Sequence, residues 1–418
     1  MIRDFFIKNR NKYFDQIETD SVSVLFSGNV YQKSADSDYP FEVNKNFYYL
    51  TGINQANSKL IMVKGKEKTF TYLFIDEYDE LQAKWVGKTL TSNEATDISG
   101  IDEVLFNKDF NKTFSSFINP HRRSVVIADK IYLDLERRVG VDSIGQGLAF
   151  SKDIKKQYPE ISLLNNYHII VSLRMIKEDD EIRVNKKSIE TTKNALKKVM
   201  ENLEPDLFEN QIEAIFDMAI KWENKTHAFD TICASGKNAT ILHYVDNNQR
   251  MINGDLVLFD LGARTEFYVS DISRTYPING KFNRRQKEVY EVVLEVNKKC
   301  IEYLRPGLSW IDYNKYANSL LIEGLKKLGK IKEDKELVNY YWHSIGHSIG
   351  LDTHDPVIAT DVIKENMVVT VEPGLYLEDE DIGIRIEDNV LVTKDGPLNL
   401  SKDIIKEVKD IEDFMKNK

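Results

Sequence analysis

The chain has 418 residues, 42% hydrophobic and 30% charged, with 20 glycines and 9 prolines, a globular composition that excludes collagen-like, mucin-like and wholly disordered chains and predicts two or three domains. A formal net charge of −10 repels a phosphate backbone and excludes non-specific nucleic-acid binding. Its two cysteines, Cys233 and Cys300, form neither a disulfide framework nor a CxxC pair, so a reducing compartment fits.

Charges scattered through residues 1–20 leave no apolar core for a signal peptide, and no run of ~18 apolar residues occurs. The expectation is a cytoplasmic protein with no membrane partner. The first 170 residues alternate β-rich runs with polar or helical text: SVSVLF (21–26), LIMVKG (60–65), FTYLFI (70–75) and SVVIAD (124–129). This predicts an α/β domain. Past Ser172, acidic residues precede a long helical segment with Ile182, Ile189, Leu196 and Val199 at helical spacing. The boundary is placed there, giving domains 1–172 and 173–418. The second domain reads as one pattern passed through twice. Helices over 181–203 and 208–223 lead to strands 255–262 and 266–275; helices over 283–304 and 309–328 lead to strands 367–377 and 383–393.

Each pass ends in a hairpin that carries acids on apolar strands. A turn centred between Thr265 and Glu266 places Asp260 opposite Asp271, and opposed residues of an antiparallel pair share a face with Cβ atoms about 5 Å apart. A turn centred between Asp379 and Glu380 likewise pairs Glu372 with Glu387, and strand alternation puts Arg385 on the face of Glu387. Between the hairpins, YYWHSIGHSIGLDTHDP holds His343, His347 and His354. Clustered carboxylates with histidine and no sulfur favour Mn²⁺, Fe²⁺ or Co²⁺ over structural zinc. Two such ions sharing carboxylates would hold a hydroxide as nucleophile, and without a cation the buried acids would repel one another. Taken singly, a strand Asp belongs at an edge, a His pair four apart arises by chance, and EDED (378–381) is a solvated loop. Two symmetric acid pairs around a histidine cluster are hard to obtain from packing or surface charge.

These residues resemble the aminopeptidase P and Xaa-Pro dipeptidase family, whose pita-bread fold is shared with methionine aminopeptidase. The resemblance spans nearly the whole chain: SDYPFEVNKNFYYLTG (37–52), ICASGKNATILHY (232–244), LVLFDLG (256–262), SDISRTYPINGKF (270–282), the HSIGHSIGLDTHD run, VEPGLY (371–376) and GIRIEDNVLVT (383–393). It implies an α+β protein: an N-terminal α/β creatinase-like domain, then a C-terminal pita-bread domain with a pseudo-twofold duplication. It further implies that Asp260 binds one metal, that Asp271 and Glu387 bridge two, and that His347 and Glu372 complete the second site. Mn²⁺ is the expected pair, with Co²⁺, Fe²⁺ or Zn²⁺ as alternatives.

In such enzymes the Glu matching Glu372 carries a proton from the nucleophilic water to the leaving nitrogen. The histidines matching His243, His343 and His354 look like substrate and transition-state contacts, and Arg385 like an orienting group. Three positions depart from the family pattern: Ser344 for Gly, Thr353 for Val or Ile, and Phe229 for Tyr, the last removing a hydroxyl. His121 and His168 match no motif and read as ordinary surface or core histidines, and Cys233 reads as an inert thiol. The N-terminal text and Trp85 in KWVGKTL look more like aminopeptidase P, which removes the first residue from peptides with proline second. Xaa-Pro dipeptidase is the alternative; metal-free creatinase and a non-catalytic binding protein on the fold would both have lost ligands. The resemblance also implies a homodimer or homotetramer in which Trp85 nears a neighbour's active site, unless Trp85 is simply a core residue.

Overall fold

Runs of β-branched and aromatic residues in the first 170 positions become strands in a computed structural model that describes residues 1–119, 126–137, 145–358 and 362–418. The chain divides into two units, Met1–Arg174 and Met175–Lys418. In the first, β1 (Ser21–Phe26), β2 (Lys59–Lys64), β3 (Thr69–Ile75), β4 (Glu103–Phe106), β5 (Lys130–Leu133) and β6 (Ser162–Asn165) form one mixed sheet in the order β4-β3-β2-β1-β5-β6. Its central antiparallel strands β1, β2 and β3 bury Val22, Val24, Ile61, Val63 and Phe74 against helix Phe110–Ile118.

The expected strand over 124–129 is corrected. Ser124 and Val125, like His121, lie outside the described residues, and 126–128 have no strand pairing. Val126 and Ala128 are buried in the core, but the Ala128 and Asp129 amides donate to Phe117 and Asp20 carbonyls rather than into a ladder. Apolar alternation reported burial there, not pairing. Trp85, on helix Glu80–Val86, is 83% exposed, so its reading as a core residue does not hold. His168 is exposed as well.

In the second unit the twofold pattern is plain. Helices Asp179–Asn202 and Glu209–Trp222 precede a sheet of β7 (Ile232–Ser235), β8 (Leu256–Leu261) and β9 (Ile272–Pro277), in that order. Helices Arg284–Tyr303 and Trp310–Lys327 precede β10 (Val368–Val371), β11 (Gly374–Leu377), β12 (Ile382–Arg385) and β13 (Asp388–Leu391). The first helix starts at an acidic turn, Asp179 to Glu181, suited to the positive end of its dipole, and buries Ile182, Ile189, Leu196 and Val199.

The two hairpins answer the register question differently. In the second, β11 pairs with β12 and β10 with β13 in one continuous register, so Glu372 and Glu387 face each other where the ladders part, as expected. In the first, Asp260 pairs with Ser273 and not with Asp271. The physical reason is the turn. Glu266 and Phe267 both have positive φ, 47° and 68°, the signature of a two-residue hairpin turn that ordinarily announces itself by Asn or Gly. Lacking those residues, the turn sits one position later than its sequence suggests. Asp271 becomes the diagonal neighbour of Asp260 on the same face, and Ser273 takes the position opposite.

Candidate metal centre

Backbone placement comes first. The two hairpins meet edge to edge: the Glu387 amide donates to the Ser273 carbonyl at 3.0 Å, and the Arg385 amide to Thr275 Oγ1 at 3.3 Å. This joins the acids of both passes. The histidine segment then lies along β10, with the Thr370 amide donating to the His347 carbonyl at 2.8 Å and the Glu372 amide to Ile345 at 2.8 Å. Gly346 permits that approach, since a Cβ there would stand 2.1 Å from the Thr370 carbonyl oxygen.

The result is a cavity of about 340 Å³ lined by Leu242, His243, Asp260, Asp271, His343, Ser344, His347, His354, Glu372, Arg385 and Glu387. Every residue singled out for the site in the sequence thus borders one cavity. Donor atoms of Asp271, His347 and Glu387 lie within 4.8 Å of one another. His347 Nε2 stands 3.4 Å from Asp271 and 3.5 Å from Glu372. Its Nδ1 lies 3.0 Å from the Ser348 carbonyl, which can only accept, so Nδ1 carries the proton and Nε2 keeps a lone pair for a cation.

The acids are held against their own chemistry. Burial, then the charges of Asp260 and Glu372, push the Asp271 carboxyl well above its ordinary range; burial, then Asp271, does the same to Glu387; burial also raises Glu372. Asp260 Oδ1, Asp271 Oδ1 and Glu387 Oε1 are buried without a hydrogen-bond partner. Buried carboxylate oxygens are ordinarily satisfied, so this donor set fits a divalent cation, with oxygen and imidazole ligands and no thiolate.

A second set of groups surrounds it. Arg385 donates from Nη2 to Asp260 at 2.7 Å, from Nε to Ser273 Oγ at 2.7 Å and from Nη1 to the Tyr376 hydroxyl at 3.0 Å. Ser273 donates to Glu387 at 2.8 Å. The Tyr376 hydroxyl, pushed up to about 12 by burial, donates to His343 Nε2 at 2.9 Å, and His343 Nδ1 donates to the Ser344 carbonyl at 2.8 Å. Burial, then Arg385, depresses His343 to about 3; burial, then His347 and His243, depresses His354 to about 4. Both imidazoles are therefore neutral near pH 7. The His354 ring packs edge-on to His347 with centroids 4.2 Å apart.

Ser273 and Tyr376 escaped the sequence reading. Their signal was alternation, two residues after Asp271 and four after Glu372 on the same faces. Phe229 is half-buried and outside the cavity lining. Burial pushes the Cys233 thiol well up, so it stays protonated.

Residues 184–394 match the model of metallopeptidase family M24, and residues 6–127 that of the aminopeptidase P N-terminal domain. The fold and the site therefore define a metallopeptidase, a hydrolase built on the pita-bread fold that works with a divalent metal. The Xaa-Pro aminopeptidase of Haemophilus influenzae is 32% identical, with 99% of this chain and 97% of the relative covered. A Bacillus anthracis structure described as an aminopeptidase P superposes with a TM-score of 0.96 at 45% identity, covering 100% of this chain and 99% of that one. Zinc-substituted Escherichia coli aminopeptidase P, in complex with product, gives 0.90 at 29% identity, with 100% and 99% covered. The chain belongs to the aminopeptidase P family. It is a metal-dependent exopeptidase acting on peptides. No helix among the described residues is long and apolar enough to cross a membrane.

Proposed function

We propose that this chain is an Xaa-Pro aminopeptidase, releasing the first amino acid from peptides with proline second, with two divalent ions per chain, Mn²⁺ foremost. The observation that carries this reading is the single cavity in which buried carboxylate oxygens from both hairpins lack partners beside His347. Asp260, Asp271, His347, Glu372 and Glu387 would hold the ions, which supply Lewis acidity and a nucleophile from water at neutral pH. Glu372, its carboxyl raised by burial, accepts a proton and passes it to the departing prolyl nitrogen. His354, neutral near pH 7, and His243 orient the scissile carbonyl. Arg385 holds Asp260, Ser273 and Tyr376 in place, and His343, with both nitrogens engaged, acts through Tyr376. A homodimer or homotetramer in the cytoplasm, with domains 1–172 and 173–418 and Trp85 reaching a neighbouring copy, completes the proposal. The exposure of Trp85 supports that last point.

Proline shapes the substrate side. Its nitrogen carries no hydrogen and its ring holds φ near −65°, so the cleaved bond is a tertiary amide that ordinary aminopeptidase pockets reject. The Mn²⁺-loaded enzyme is expected to cleave Xaa-Pro-Yaa peptides with higher kcat/KM than Xaa-Pro dipeptides, since among the cavity-lining residues the one Arg, Arg385, already holds Asp260 and no Lys offers a clamp for a proline carboxylate. Dipeptide hydrolysis with no activity on the longer series would transfer the assignment to Xaa-Pro dipeptidase. Full turnover after exhaustive chelation would remove the metal reading.

A further inference from the structure

His243 borders the cavity from a segment that apolar packing holds only in part. Ile241 and Val245, on either side of it, are 54% and 50% exposed, and the histidine itself is exposed. Leu242 and Tyr244 do pack on a small cluster with Ile232, Leu258 and Tyr376. Part of the remaining restraint is the Asn247 side chain, which bonds the Cys233 amide, the Thr231 carbonyl and Glu213, and the larger part converges on one other side chain. Glu209, the first residue of helix Glu209–Trp222, is fully buried. Its Oε1 accepts from the Ser235 amide at 2.7 Å, Ser235 Oγ at 2.7 Å and Asn238 Nδ2 at 3.1 Å. Its Oε2 accepts from the Tyr244 hydroxyl at 2.7 Å and the Gln249 amide at 3.0 Å. None of these donors is a cation. One oxygen therefore ties the chain before His243 and the other ties it after. A buried carboxylate so saturated is a rigid anchor, because moving any donor away leaves charge unsatisfied in a low dielectric.

We propose that Glu209 is a positioning residue for catalysis: by clamping the segment on both sides of His243 it holds that imidazole at the cavity edge. This rests on the reading of His243 as a substrate contact. A displacement of about 1 Å at a reacting group costs on the order of 100-fold in rate, while Glu209 lies on another element from the acids that would hold metal. Glu209→Gln replaces one acceptor oxygen with a donor group, so either the three hydrogen bonds before His243 or the two after it lose their acceptor.

The test is a double-mutant cycle on the full-length, Mn²⁺-loaded protein with an Xaa-Pro-Yaa peptide: Glu209→Gln, His243→Ala and the double variant, with metal content and melting temperature measured for each. Expected are a roughly 10- to 100-fold fall in kcat for Glu209→Gln, unchanged metal content, and a double variant within about twofold of His243→Ala alone. Tyr244→Phe, which removes one donor of five, is expected to lose less and to show the same non-additivity. It carries the cycle if Glu209→Gln does not fold. Losses that multiply in the double variant, or a folded Glu209→Gln with wild-type kcat, would overturn the proposal. If His243→Ala alone turns over like wild type while Glu209→Gln does not, the role given to His243 has failed and positioning through it fails too. Cleavage of dipeptides only would instead correct the substrate reading, and the cycle is then run on the dipeptide.

Discussion

Glu372 and Glu387 face each other at the break between the β10–β13 and β11–β12 ladders, and Ser273 enters beneath them because the first hairpin turns one residue late. Exchanging the Glu372 carboxylate for an amide keeps its size but removes a ligand charge and the proton acceptor. Turnover by Glu372→Gln is expected to fall by about 10²- to 10⁴-fold, measured by steady-state kinetics beside metal analysis. Ser273 supports a different prediction. Its hydroxyl bonds both Glu387 and Arg385, so Ser273→Ala leaves two buried polar groups short of a partner. We expect a loss of about 1–3 kcal/mol in urea unfolding, largely restored by Ser273→Thr. Equal stability of the alanine and threonine variants would show that these contacts carry no net energy.

At the scale of elements, the acidic turn of the second hairpin is solvated at Glu378, Asp379 and Asp381, as expected of EDED, while Glu380 is half-buried and tied down. Glu380 accepts from Arg285 at 2.6 and 2.9 Å and from Lys330 at 2.9 Å, latching the turn to helix Arg284–Tyr303. The Arg285 hydrogen bonds, against partial burial and with help from Lys330, lower its carboxyl from 4.5 to about 2. A folded value below the unfolded one contributes stability that is present above about pH 4.5 and is lost as pH falls toward 2. The side chain is 23% exposed, so solvent screening reduces the contribution to about 1 kcal/mol. The stability gap between wild type and Glu380→Gln is expected to shrink by more than half between pH 7 and pH 3. Denaturant titrations across that range check it, and a constant gap would refute the latch.

For the whole molecule, folding gathers carboxylates that have no mutual attraction. Burial and the charges of Asp260 and Glu372 raise Asp271, burial and the charge of Asp271 raise Glu387, and that cost is withdrawn when a cation is bound only by the folded state. Adding Mn²⁺ to chelated protein is expected to stabilise it by about 2.7 kcal/mol at a hundred times Kd, seen as a rise in melting temperature. Asp271→Asn, which lacks a ligand placed between both hairpins, is expected to lose most of that rise. A chelated protein that melts where the loaded one does would show that the acids tolerate one another without metal.

Much of this architecture was legible without coordinates. Helical spacing marked Ile182, Ile189, Leu196 and Val199, repetition marked the two passes, and acids embedded in apolar strands marked Asp260, Asp271, Glu372 and Glu387, because each of these is a local pattern that burial imposes on neighbouring residues. The second hairpin's register was legible for the same reason, its acidic turn being centred where the pattern puts it. What local pattern could not supply was the first hairpin's register, set by backbone angles at Glu266 and Phe267 that neither residue advertises. Nor could it supply the partners that give Ser273, Tyr376 and Glu209 their importance, which lie 9 to 114 positions away. Such groups are ordinary polar residues in the unfolded chain. They acquire a function when packing removes water and leaves each of them a single place to make its hydrogen bonds.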